Sequence, residues 1–202
     1  MNEKVEKKFA VLDVELTPNP NAFKYVLDAP VIKSGARSIT SDDETPGDSF
    51  ARAVFALGPI QSIYLAENFV TVTFYPHPKL DLLVDAVEEI IESYLNFYEL
   101  SEPEKEEKKD SILTHLDEID FPNLPDEEKA AVIDALFDET VRPALAGDGG
   151  GLTILGFEDD TLRIRYQGAC GSCPSSSTGT LRAIQNILRN HLKEDIRVVS
   201  SA

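Results

Sequence analysis

Only two cysteines, Cys170 and Cys173, occur in the 202 residues, which excludes a secreted disulfide scaffold. Whatever the two thiols build, they build as a pair or with another molecule. Long apolar runs are missing too. None approaches the roughly 18 residues of a membrane-spanning helix, and the start, MNEKVEKKFAVLDVEL, has neither the apolar segment of a secretory signal nor an Arg-rich, acid-poor transit pattern. The expected setting is cytoplasmic, with the note that a processed organellar form would read the same. Glycine (11) and proline (12) are too few for a collagen-like or wholly low-complexity chain. Basic residues are scarce: 19 against 36 acidic ones give a net charge of −17, which repels phosphate backbones and anionic lipid. No nucleic-acid and no membrane partner is expected.

What the chain does have is a globular composition, 42% hydrophobic, and enough length for two small domains. Between Glu99 and Asp110, nine of twelve residues are charged, so this stretch cannot bury enough surface to offset its ordering entropy. A weaker amphipathic piece, Ser111 to Ile119, follows before Pro122 and Pro125. The expected organisation is a first domain over 1–99, a charged linker region over 100–122 and a second domain over 123–202. Residues 1–125 carry 24 acidic and 11 basic groups (−13) and residues 126–202 carry 12 and 8 (−4), so the acidity belongs mainly to the first part.

The fold class read from the pattern is α+β. In the first domain, Phe9 to Leu16 and Phe23 to Leu27 read as strands across the turn formers Thr17-Pro-Asn-Pro-Asn21, and Ile60 to Leu65 with Phe69 to Tyr75 read as a hairpin. Helices are predicted at Asp48 to Leu57, with Asp48 as N-cap, and at Leu80 to Phe97. This is an antiparallel sheet with helices on one face. The second domain reads α-β-β-α-β: one helix from Asp126 through Leu145 ended by Gly147, strands Leu152 to Phe157 and Leu162 to Gln167, a helix from Pro174 to about Leu192, and a short strand Ile196 to Val199.

Gly168-Ala-Cys170-Gly-Ser-Cys173-Pro-Ser-Ser puts two thiols in a loop at a predicted helix N-terminus, where free N–H groups and the dipole favour thiolate. Iron–sulfur clusters and tetrahedral zinc normally take four soft ligands, and one chain has two cysteines. Two chains about a two-fold axis would supply four thiolates. A bridging cluster, thiol–disulfide exchange, zinc binding and inert cysteines all remain open on spacing alone.

Further residues carry a resemblance. Val141-Arg-Pro-Ala-Leu-Ala-Gly-Asp-Gly-Gly150, then Gly168 to Ser176 and Thr180-Leu181, resemble the NifU-like C-terminal domain of Nfu-type iron–sulfur cluster carriers, a likeness spanning about Asp126 to Ser200. Thr17-Pro-Asn-Pro-Asn-Ala-Phe-Lys24 and Ser49 to Thr73 resemble the N-terminal domain that accompanies it. Gly151 stands where the family often has Asp, and Ala169 precedes the first cysteine. The resemblance implies a non-enzymatic carrier in which Cys170 and Cys173 ligate a [4Fe-4S] cluster, with [2Fe-2S] or zinc as alternatives. It also implies a homodimer when loaded, upstream cluster-assembly proteins as donors and apo iron–sulfur proteins as recipients. The rival reading is a thiol–disulfide oxidoreductase using the same pair.

Other features read as structural. Asp148-Gly-Gly-Gly151 lacks the spacing and Lys of a phosphate loop and reads as a helix-to-strand turn. Ser175, Ser176, Ser177 and Thr178 read as caps that could at most reach cluster sulfur. His77, His115 and His191 are scattered and read as solvated or structural.

Overall fold

Strand formers at a two-residue period bring five segments of the first half into one sheet: β1 (Val11–Leu16), β2 (Ala22–Leu27), β3 (Ala36–Ile39), β4 (Ile60–Ala66) and β5 (Phe69–Phe74). The computed structural model describes residues 9–40, 47–98, 111–172 and 179–201. The chain divides into two compact units, Met1–Ser101 and Glu102–Ala202.

In the first unit the sheet order is β1-β2-β5-β4-β3, every neighbouring pair antiparallel. Alternate residues Tyr25, Ile63, Leu65, Val70, Val72 and Phe74 form a core with Phe50, Val54, Val87 and Ile91 from α1 (Ser49–Phe55) and α2 (Leu80–Tyr94). Asp48 caps α1, its carboxylate accepting from the Ala51 N–H at 2.9 Å. The turn Thr17–Asn21 is self-contained: Thr17 donates to the Asn19 and Ala22 carbonyls, and the buried Asn19 side chain accepts from the Asn21 N–H. That satisfies the backbone of consecutive turn formers without a ligand. Helix α2 stops at Tyr94 rather than Phe97, and the chain then returns so that the Tyr98 N–H reaches the Val31 carbonyl at 2.8 Å. The short edge strand β3 carries no alternation of its own and exists by pairing with β4.

In the second unit the expected single helix is two, α4 (Asp126–Thr140) and α5 (Arg142–Gly147). The break falls at Val141 because Pro143 offers no N–H and its ring collides with the carbonyl four residues back. Arg142 spans the break, bonding the Asp134 carboxylate at 2.6 Å and pairing with Asp138. Burial works against its charge, but the two carboxylates prevail and hold its ionisation above the ordinary value.

Strands β6 (Gly150–Glu158) and β7 (Thr161–Gly168) form a hairpin whose turn residues Asp159 and Asp160 both have positive φ, 48° and 53°. Helix α6 (Leu181–Leu192) crosses over to β8 (Arg197–Ser200), which pairs parallel to β7, giving the order β6-β7-β8. Ile184 and Leu188 on α6 meet Ile133, Leu136 and Phe137 of α4 and Leu162 and Ile164 of β7 in the core.

The linker expectation needs one correction. Glu99 to Asp110 lie outside the described residues, but α3 (Ile112–His115) and the turn after it belong to the second unit. Ile112, Leu116 and Ile119 pack on its core, and Phe121 is only 4% exposed within it. Glu139 of α4 accepts from the Ser111 hydroxyl and from the Ile112 N–H. Charged neighbours break up the apolar pattern there, yet one aromatic and three aliphatic side chains suffice to dock it.

Candidate functional site

The C-terminal end of β7 runs into the first cysteine. Gly150 and Gly168 are paired across β6 and β7, so the helix-to-strand turn and the cysteine loop meet at one end of the hairpin. Gly149 and Gly168 take φ of +74° and +60°, a region where a side chain strains the backbone. The Ala169 N–H donates to the Gly149 carbonyl at 3.1 Å, and one 3-10 turn over Ala169–Gly171 carries Cys170 back over the hairpin.

Cys170 is 8% exposed and belongs to the core of the second unit. It lies against Gly150 so closely that a Cβ there would stand 2.5 Å from Cys170 Sγ and 2.9 Å from both the Cys170 N and the Gln167 carbonyl. The Asp148-Gly-Gly turn is thus structural, as its spacing indicates, and the structure it supplies is the floor beneath a thiol. Gly171, by contrast, is exposed and lies 3.5 Å, measured from its own ideal Cβ position, from the Tyr166 carbonyl oxygen.

Tyr166 lies on β7, four residues before Cys170. Its ring packs on the core, its hydroxyl is buried, and among the described residues that hydroxyl has no hydrogen-bond partner. Burial first, and then the charge of a Cys170 thiolate, push the phenol up to about 12. Nothing in the sequence signals this, because an aromatic residue in a strand is ordinarily there to pack.

The second cysteine, Cys173, with Pro174, Ser175, Ser176, Ser177 and Thr178, lies outside the described residues. The three histidines do not gather at the loop: the His77 ring accepts from the Lys79 N–H, His115 pairs with Glu118 and His191 is exposed on α6. Among the described residues no three His, Cys, Asp or Glu side chains form a metal-sized cluster. Chemically, the loop offers one thiol fixed by backbone contacts and a second three residues on, a soft donor pair suited to iron or zinc.

Comparison with known proteins gives two family matches in chain order. Residues 12–97 match the family described as scaffold protein Nfu/NifU N terminal, and residues 133–199 match the NifU-like domain. The human NFU1 iron-sulfur cluster scaffold homolog, mitochondrial, is 30% identical over 191 residues, covering 93% of this chain and 70% of that protein. NifU-like protein 4, mitochondrial, of Arabidopsis thaliana is 26% identical over 196 residues, covering 94% of this chain and 65% of that protein. The chain therefore spans about two thirds of the length of these relatives. A solved structure, protein SAV1430 from Staphylococcus aureus, aligns with a TM-score of 0.36 at 21% identity over 41% of this chain and 99% of that one.

Proposed function

Since the chain belongs to the family of Nfu-type iron–sulfur cluster scaffold proteins, we propose that it holds a [4Fe-4S] cluster through Cys170 and Cys173, shared between two subunits, and delivers it to apo-proteins. The observation that carries this reading is the seating of Cys170 on Gly150 at the end of a glycine-lined hairpin. A thiol held by backbone rather than by a closed pocket of ligands can keep a cluster without enclosing it.

The donor set fits that cargo. One chain has two cysteines, a cluster of this type takes four thiolates, and a two-fold contact brings each loop against its own copy. Delivery is then ligand exchange: each iron–thiolate bond to Cys170 or Cys173 breaks as one to a recipient thiolate forms, with no net change in the cluster's electrons. The protein's part is to present the cluster and let go, which is the work of a carrier and not of a catalyst. The acidic charge carried by both units suits docking of recipients and of the proteins that supply the cluster, since it steers basic surfaces.

Both relatives named above are mitochondrial. A cysteine pair kept reduced for ligation suits that compartment as well as the cytoplasm. No helix among the described residues is long and apolar enough to cross a membrane.

Anaerobic reconstitution with iron and sulfide, followed by absorption and paramagnetic resonance spectra and by transfer to an apo [4Fe-4S] enzyme, tests the proposal. The expected result is a [4Fe-4S] spectrum and activation of the recipient. A zinc form that takes up no iron–sulfur chromophore contradicts it, as does a mixed disulfide trapped by a single cysteine substitution, which would mark the pair as a redox dithiol.

A further inference from the structure

Charge is unevenly spread along the chain. Residues 161–202 carry six basic and two acidic groups (+4), whereas residues 1–160 carry 13 and 34 (−21). Three of the six, Arg163, Arg165 and Arg197, share one face of the second sheet. Arg163 and Arg165 alternate along β7, Val199 of β8 lies beside Arg163, and Arg197 enters the same face opposite Thr161. The other face, with Leu152, Leu162, Ile164 and Val198, is the one buried with α4 and α6. All three arginines are exposed, and among the described residues Arg163 alone of the three is ion-paired, with Glu158 at 3.4 Å. Leu155, 44% exposed in the β6 bulge opposite Arg163, adds an apolar side chain. The face runs to the cysteine loop: Gln167 follows Arg165 on it, paired with Gly151, and the next pair is Gly150 with Gly168, where the chain turns toward Cys170.

We propose that this arginine face is the docking surface for the recipient of the cluster and takes an acidic patch beside the recipient's own empty cysteines, an inference that rests on the carrier reading above. Free thiolates with acidic neighbours are repelled by a chain of net charge −17, and the arginines reverse the local sign where the cargo is handed over. Exposed charges beyond about 8 Å are largely screened at physiological salt, so near charges decide the docked pose. Arg165 lies three residues, roughly 10 Å of strand, from Gly168. The acidic bulk still draws a partner's basic side; the arginine face fixes which side meets the cysteines. A second copy would set arginine against arginine in a symmetric contact. Nucleic acid fits no better, since the described residues of this face include no aromatic side chain on which a base would stack.

Arg165→Glu/Arg197→Glu in the full-length chain tests this against Lys33→Glu/Arg52→Glu, the same change of net charge at exposed positions of the first unit. Both variants and the wild type are loaded with iron and sulfide and mixed with an apo-ferredoxin whose cysteine-bearing side is acidic, and the iron gained by the ferredoxin is followed at low and high salt. Transfer from the arginine variant should slow about tenfold at low salt and much less at high salt, that from the control by less than about twofold, with loss of cluster to a small chelator equal in all three. Arg165→Gln/Arg197→Gln, which removes the charges without reversing them, should fall between. A ferredoxin whose carboxylates on that side are changed to amides should receive cluster from the wild type and the arginine variant at one rate. Equal transfer from the wild type and the arginine variant, equal slowing in the control, or faster chelation in the arginine variant overturns the docking role while leaving the carrier reading intact. A DNA duplex that binds the wild type and not the arginine variant, or a dimer lost in that variant, overturns it in favour of nucleic acid or of a self-contact. A wild-type chain that takes up no cluster overturns the carrier reading, and recipient docking with it.

Discussion

Gly150 and Cys170 meet in a contact that leaves no room for a side chain at position 150, because a methyl group there would come within 2.5 Å of the Cys170 sulfur. The first prediction follows from that contact. Gly150→Ala forces the loop or the strand to shift, at about 1–3 kcal/mol, and should lower cluster content after reconstitution. Gly147→Ala is the control: a Cβ there meets nothing within 4 Å, and the change should move stability by less than about 1 kcal/mol. Thermal melts and iron analysis of the two variants check the pair, and equal iron content would remove Gly150 from the site.

Cys170 bears on stability as well as on ligation. Its side chain is 8% exposed and packs within the core of the second unit. Cys170→Ser should therefore destabilise the apo second unit by about 1–2 kcal/mol, as a hydroxyl replaces a small apolar group. Denaturant unfolding measures this directly. A neutral Cys170→Ser would mean that the sulfur's packing contributes nothing.

Tyr98 closes the first unit by donating its hydroxyl to the free oxygen of Asp48 at 2.6 Å, while the other oxygen caps α1. Burial, then the hydrogen bond and charge of Asp48, raise the phenol's ionisation well above its ordinary value. A raised folded-state value means that the stabilisation is complete below the unfolded phenol's pKa of about 10 and is lost as pH climbs above it. Tyr98→Phe should cost about 1.5 kcal/mol at neutral pH and flatten the alkaline fall in stability. Unfolding curves on both sides of that pH decide the matter; an unchanged alkaline slope in the variant would point to other groups.

The second unit's boundary gives a prediction about fragments. Phe121 packs edge-to-face on Phe157, their ring centroids 6.3 Å apart, and Ile112, Leu116 and Ile119 join the same core. A fragment starting at Ser111 should be more stable than one starting at Asn123 by about 3 kcal/mol or more. Limited proteolysis of the whole chain should cut within the charged stretch from Ser101 to Asp110. Equal stability of the two fragments would contradict the docking of residues 112–121.

The physical reason for what could be read in advance is locality. The β4–β5 hairpin, the Asp48 cap and the Ile184, Leu188 and Leu192 stripe of α6 each declare themselves within a dozen residues, through alternation, a capping side chain or a helical period. Less legible features depend on partners far along the chain. Strand β3 is made by β4, the parallel direction of β8 is made by the α6 crossover, and Phe121 looks like a linker residue until Phe157 is beside it. Pro143 did mark the α4–α5 break, but the apolar period running through it argued for continuity. At the candidate site the cysteine spacing was plain. The floor under Cys170 was not, because it needs the Gly150–Gly168 register, and the unpartnered hydroxyl of Tyr166 is a property of burial.

The central claim, a cluster shared by two chains, is tested most directly by mixing wild-type chains with tagged Cys170→Ser/Cys173→Ser chains, purifying the tagged heterodimer and reconstituting it anaerobically without added thiols. Wild-type homodimers should hold about four iron and four sulfide per two chains, and the heterodimer, with half the thiolates, should hold no stable cluster. A stable [4Fe-4S] spectrum in the purified heterodimer would contradict the account and put the whole site on one chain.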